Sequence, residues 1–218
     1  MCRFLLAKSK QPISPKKILS SFAKMAKKSK AYDGDWQGDG WGFSWLKNDK
    51  WQIYKSIRPI WQENEKFSGF PKSNIFSIHA RSASFPQHKK NIEYNQPYTN
   101  ESYSYVFNGL LKGVALSLPG DIGAQKIWQL FNNYLKKNNL TQALNKTADI
   151  LKKNSQNIQA LNIGIAGKNT ISAYSYFTAH PNYYSLQYSD NSEIKIICSE
   201  IIDGSNFKSL PANSLITL

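Results

Sequence analysis

The sequence predicts an α+β layered domain, two antiparallel sheets packed face to face with helices outside them. Short apolar runs with period-two or continuous patterning dominate the chain, hairpin-type turns separate several of them, and three stretches show helical spacing. The apolar run Phe4-Leu5-Leu6-Ala7 predicts a first strand over residues 3–7. Ser14-Pro15 is an N-cap followed by proline at the first helical position, after which Ile18, Phe22 and Met25 recur on one face. Strands are expected at 40–46 and 51–57, joined through Asn48-Asp49, and then at 75–80 and 103–107. A second helix, about 123–137, carries Ile127, Leu130, Phe131 and Tyr134 on one side, and a third, about 141–153, carries Leu144, Ala148 and Leu151. Strands at 161–166 and 170–177 flank Gly167-Lys168-Asn169, and strands at 183–188 and 194–198 flank Asp190-Asn191. Such turns make sequence neighbours into antiparallel partners.

A chain of 218 residues suits one domain, since a single core commonly extends to about 200–250 residues before dividing. Hydrophobic residues at 41% and aromatics at 13% exclude a disordered chain. No stretch approaches the roughly 18 consecutive apolar residues of a membrane span, and the N-terminal run is a poor signal peptide, so a cytoplasmic protein is expected. Cys2 and Cys198 lie far apart without metal-ligand spacing, so neither zinc nor a disulfide framework is expected. The net charge of +14 raises nucleic-acid binding. Arg3, Arg58 and Arg81 are its only arginines, however, and the lysines are scattered instead of forming a stripe, which reads as solvated surface.

The chain opens Met1-Cys2-Arg3. Removal of the methionine leaves a residue with both a thiol and a free α-amine. A thiol near pKa 8.5 is mostly protonated at neutral pH, whereas an α-amine at about 7.7–8.0 is partly free to accept its proton. Cys2 is therefore a candidate nucleophile carrying its own base; the alternative is a buried apolar residue of the first strand. Gly38-Asp39-Gly40-Trp41-Gly42 marks a sharp bend or a close approach. His79-Ala80-Arg81-Ser82-Ala83-Ser84 ends an apolar strand with an arginine able to grip a carboxylate through two parallel hydrogen bonds. Asn108-Gly109 is by itself a type I′ hairpin signal, yet an asparagine amide and a glycine N–H are also the donors an oxyanion hole uses.

In order along the chain, Met1-Cys2-Arg3, Gly38-Asp39-Gly40-Trp41-Gly42, His79 to Ser84, Asn95-Gln96-Pro97-Tyr98, Phe107-Asn108-Gly109 and Cys198-Ser199-Glu200 resemble the class II glutamine amidotransferases, a family of N-terminal nucleophile hydrolases. The resemblance is nearest to its single-domain branch of γ-glutamyl hydrolases and spans the chain as one domain, 1–218. It implies a four-layer αββα sandwich, Cys2 as nucleophile, Asn108 and Gly109 as the oxyanion-hole pair, and Arg81 with Ser84 holding a substrate carboxylate. The implied reaction is hydrolysis of the side-chain amide of glutamine or a γ-glutamyl compound through a thioester on Cys2. No cofactor is implied, and the partner is a small-molecule amide, with a separate synthase or a second copy of the chain as further possibilities.

The pattern also departs from the family. Its acidic residue at the start of the helix after the oxyanion strand is replaced by the run Ile122-Gly123-Ala124-Gln125, and Asp121 stands two positions earlier. Phe107, Gln96 and Gln37 occupy places near which the family often has histidines. An ammonium left without its carboxylate partner loses about 1.5–3 kcal/mol, so free glutamine is expected to be a poor substrate unless Asp121 takes over. The competing expectation is a catalytically weak or partner-dependent subunit that supplies ammonia to a synthase.

Overall fold

Alternation along the first strand decides how the layers stack. In the computed structural model, which describes residues 2–203 and 206–218, β1 (Arg3–Ile13) sends Leu5 and Ala7 to one side and Phe4 and Leu6 to the other. The chain continues through α1 (Lys16–Lys28), β2 (Trp41–Lys47), β3 (Lys50–Ser56), β4 (Ser73–Ala80), β5 (Tyr98–Thr99) and β6 (Ser104–Val114). Then follow α2 (Gly123–Leu135), α3 (Leu140–Lys153), β7 (Ser155–Ala166), β8 (Ile171–Ser175), α4 (Pro181–Tyr184), β9 (Gln187–Asp190), β10 (Ile194–Cys198), β11 (Lys208–Ser209) and β12 (Ser214–Thr217).

Among the described residues these strands form two antiparallel sheets, ordered β11-β9-β10-β1-β4-β2-β3 and β12-β8-β7-β6-β5. Leu5 and Ala7 meet Ile18, Leu19 and Phe22 of α1, whose amphipathic stripe closes the outer face of the first sheet. Phe4 and Leu6 meet Val106, Ile171 and Ala173 of the second sheet. On the far side of that sheet Phe107, Leu161 and Ile163 pack under Phe131, Leu144 and Leu151 of α2 and α3. The order is therefore α, β, β, α, the expected four layers. Fully buried aromatics such as Phe4, Phe22 and Phe131 contribute roughly 1.5–3 kcal/mol each.

Local chemistry sets the element ends. Asn48 and Asp49 both take positive φ (49° and 58°) and close the β2–β3 hairpin with Lys47 opposite Lys50. Asn139 starts α3 by accepting from the Gln142 N–H at 2.9 Å, and the Gln142 side chain returns the bond to the Asn139 N–H. The Gln125 side chain bends back in the same way at α2, accepting from the N–H groups of Asp121 (2.9 Å) and Ile122 (3.3 Å).

One expectation is corrected and one alternative set aside. The turn alternative for Asn108-Gly109 is not what forms: β6 runs straight through the pair, with Asn108 opposite Asn162 and Gly109 opposite Leu161, because β7 offers a long partner strand and neither residue adopts positive φ. The segment 183–188 is not one strand. Pro181 starts the helical turn α4, which buries Tyr183 and Tyr184, and pairing resumes only at Gln187. No helix among the described residues is long and apolar enough to cross a membrane.

Candidate functional site

Cys2 precedes β1, and the anchoring of that strand fixes where its sulfur lies. Arg3, only 3% exposed, donates from Nε to Ser29 Oγ (2.8 Å) and from one terminal nitrogen to the carbonyls of Tyr183 (2.8 Å) and Ser199 (3.0 Å). Its other terminal nitrogen pairs with Glu200 at 2.8 Å, and its guanidinium lies over the Tyr183 ring. Ser199 adds a mutual bond with the backbone of Phe4. The segment Cys198-Ser199-Glu200 thus clamps the residue next to the sulfur and has no place in the cavity itself.

The glycine-rich loop before β2 grips the segment leaving β4. The Asp39 N–H donates to the Arg81 carbonyl, the Arg81 N–H donates to the Gly40 carbonyl at 2.8 Å, and the Asp39 carboxylate accepts from the Ala83 N–H at 2.8 Å. Gly40 has φ +117°, and a Cβ there would lie 2.3 Å from Asn95 Nδ2, so only glycine admits Asn95. Asn95 then donates to the Ser56 carbonyl and accepts from Arg81 at 3.3 Å. Arg81 also donates to the His88 carbonyl at 2.8 Å. These bonds hold the guanidinium in place with part of its fork of donors left over.

Gln96 ties this side of the molecule to the second sheet. Its side chain accepts from the Phe107 N–H (2.5 Å) and donates to the Phe107 carbonyl (3.3 Å), gripping β6 immediately before Asn108. At Gly109 a Cβ would lie 2.3 Å from the Ala160 carbonyl oxygen, so glycine is required for β6 to lie against β7. Asn108 is 1% exposed, and neither polar atom of its side chain has a hydrogen-bond partner among the described residues.

Cys2, Arg81, Ser84, Gly109 and Asp121 line one cavity of about 470 Å³. Cys2 approaches from the first sheet and Gly109 from the second. Asn108 lies in the strand behind Gly109 and is not part of the lining. Ser84 is exposed at the rim, and Asp121 accepts from the Tyr94 hydroxyl at 3.4 Å. Tyr94 in turn packs 5.6 Å from the Arg81 guanidinium, so one aromatic ring links the arginine to the aspartate.

Electrostatics separate two groups near the sulfur. Burial pushes the Cys2 thiol above its ordinary value, the negative charge of Asp35 adding to the effect and the positive charge of Arg81 opposing it. A thiol raised in this way is protonated at neutral pH and needs a base. His79 is fully buried, and burial first, then the charge of Arg81, lowers it to about 3, so its imidazole is neutral and too weak a base for a thiol proton.

The sequence reasoning missed Asp35 and gave Ser82 no role of its own. The Ser82 hydroxyl donates to the Asp35 carboxylate, and the Cys2 thiol lies 3.6 Å from the Ser82 carbonyl oxygen. Asp35 lies in an irregular segment with no sequence signal, and Ser82 stood out only as a small residue after an arginine.

The sequence matches no family profile and no curated protein. Solved structures with this arrangement do exist. A glutamine aminotransferase class-II domain protein from Silicibacter pomeroyi superposes with TM-score 0.64 at 15% identity, over 99% of this chain and 94% of its own. It has the fold of a class II glutamine amidotransferase domain. Glutamine phosphoribosylpyrophosphate amidotransferase from B. subtilis gives TM-score 0.71 at 13% identity, with this chain spanning 47% of that one. A predicted glutamine amidotransferase from Pseudomonas aeruginosa gives 0.58 at 11%, over 96% of its length. The amidotransferase-type sandwich is thus the shared property.

Proposed function

We propose that the chain, once Met1 is removed, is a cysteine N-terminal nucleophile amidohydrolase resembling class II glutamine amidotransferases and acting on glutamine or a γ-glutamyl amide. Met1 lies outside the described residues. The Cys2 sulfur attacks the amide carbon while its proton passes to the α-amine of the same residue, and the resulting oxyanion takes hydrogen bonds from the Asn108 side chain and the Gly109 N–H. The α-amine returns the proton to the leaving nitrogen, the C–N bond breaks, and a thioester remains. Water then hydrolyses it to carboxylate and thiol. Arg81, with Ser84 at the rim, receives the substrate carboxylate, and Asp121 receives its ammonium.

The observation that carries this reading is that Cys2 and Gly109, on different sheets, open onto the same cavity. The depressed basicity of His79 supports the α-amine as base. The test is intact-mass analysis of the protein from its native host, followed by incubation with glutamine and a panel of γ-glutamyl amides. Expected are a mass lacking Met1, a transient acyl adduct on Cys2, and a rate that rises with pH as the amine deprotonates near 7.7–8.0. A retained Met1, or turnover that survives Cys2→Ala, refutes it.

The B. subtilis match favours a second reading, since less than half of that amidotransferase is covered. On it, this chain would release ammonia only with a separate synthase bound, and glutaminase activity would appear only in the co-purified complex.

A further inference from the structure

We propose that the amides cleaved at Cys2 are γ-glutamyl amides of bulky apolar amines and that free glutamine underfills the site; this rests on the reading given under Proposed function. The cavity has two chemically different parts. Its polar contacts run in one chain, from the Cys2 thiol to the Ser82 carbonyl, through the neighbouring Arg81 to the Tyr94 ring and on to the Asp121 carboxylate. A guanidinium and a carboxylate spaced by one aromatic ring can hold the two charges of an amino-acid end.

The wall formed by β6 and the connection to α2 is mainly apolar, with Lys112 and Lys126 as its charged members. Leu110, Leu111 and Val114 come from the outer half of β6, Leu116 and Leu118 from the loop after it, and Ile122 from the start of α2. These side chains are only half-buried, apart from Val114, which is exposed. Leu111, Leu116, Leu118 and Ile122 pack on the edge of the second core, and all six side chains line the cavity. Contiguous apolar surface that folding leaves uncovered beside a nucleophile marks a ligand-binding wall.

The volume agrees with this. About 470 Å³ falls in the range that takes drug-sized molecules, and a free amino acid would leave much of it to water against leucine side chains. The glutamyl end occupies the Arg81–Asp121 side, so the group beyond the scissile bond, the amine, is left to meet the leucines. Cleavage balances as above: the α-amine proton goes to the departing nitrogen, and water replaces it on the acyl carbon.

The experiment is a series of γ-glutamyl n-alkylamides from methyl to octyl, with glutamine as the shortest member. With processed protein, kcat/KM is expected to rise about fourfold per methylene until the wall is covered, the fold-change expected for burying one methylene. A flat or falling series overturns the proposal. Calorimetric Kd values for the same series on the Cys2→Ala protein are expected to show the same slope, and a flat binding series overturns it without reference to turnover. Leu118→Asp is expected to flatten the slope, and an unchanged slope counts against the wall. A slope seen only when the acyl side is lengthened, in N-hexyl alkanoylamides, also overturns the assignment. Failure of the underlying catalytic reading is separately visible as no adduct on Cys2 with any member, whatever the binding slope.

Discussion

Asn108 is 1% exposed with both side-chain polar atoms unpartnered among the described residues, an arrangement that costs a folded chain about 1–3 kcal/mol. Asparagine is out of place there if folding were all that mattered, since a leucine of similar size would pack without orphaned atoms. Asn108→Leu is therefore expected to leave stability unchanged or raise it by about 1–2 kcal/mol in chemical denaturation, while lowering kcat by roughly 10²–10³ through loss of an oxyanion donor. A large loss of stability would mean the amide is structural. The direction of these two effects separates a group kept for chemistry from one kept for packing.

At the scale of elements, the N-terminal strand is held by an ionic clamp next to its first residue. Arg3 bonds to Ser29, Tyr183, Ser199 and Glu200, which come from the end of α1, from α4 and from the segment after β10. Glu200 is 39% exposed, so solvent screens that pair, and the buried carbonyl and hydroxyl bonds carry most of the effect. Arg3→Ala is expected to cost about 2–3 kcal/mol, a fall in Tm of roughly 4–12 °C, and to weaken turnover by loosening Cys2. Differential scanning calorimetry measures the first, and steady-state rates at a temperature where the variant is folded measure the second.

The same scale shows what the sequence made legible. Hairpins at Asn48-Asp49, Gly167 to Asn169 and Asp190-Asn191 were readable because short turns leave local chemistry in charge. At Asn108-Gly109 strand pairing with β7 overrides the local turn preference that the pair has by itself, and the 183–188 pattern misled because buried tyrosines look alike in a strand and in a helical turn. Ser214–Thr217, which forms β12 at a sheet edge, had too little periodicity to be found. Of the candidate site, Cys2, Arg81, Ser84, Gly109 and Asp121 were found in sequence and meet in space. Asp35 was not, because it sits in an irregular segment without a motif and only the fold brings it to Ser82, whose carbonyl lies by the sulfur.

For the whole molecule, the buried imidazole of His79 links stability to pH. Its folded value of about 3 lies below the ordinary 6.5, so the unfolded chain binds a proton that the native chain refuses. Its contribution is fully present above about 6.5 and is lost as pH falls toward 3, by up to ~1.4 kcal/mol per pH unit. Urea denaturation is expected to show a loss of about 2 kcal/mol between pH 7.5 and 5, before lowered carboxylates such as Glu63 begin to protonate. His79→Gln should flatten that interval, and an unchanged slope would place the linkage elsewhere.

The cavity's walls differ in how freely they can be rewritten. Cys2 and Arg81 flank strand ends and Gly109 sits in mid-strand, all locked by paired backbone and by glycine positions where even a methyl group collides, whereas Leu116, Leu118 and Asp121 sit on the connection between β6 and α2. Mutations in that connection can drift without disturbing either sheet. A lineage built on this scaffold can therefore exchange one diet of amides for another by editing a single surface segment, with its bond-breaking apparatus inherited intact.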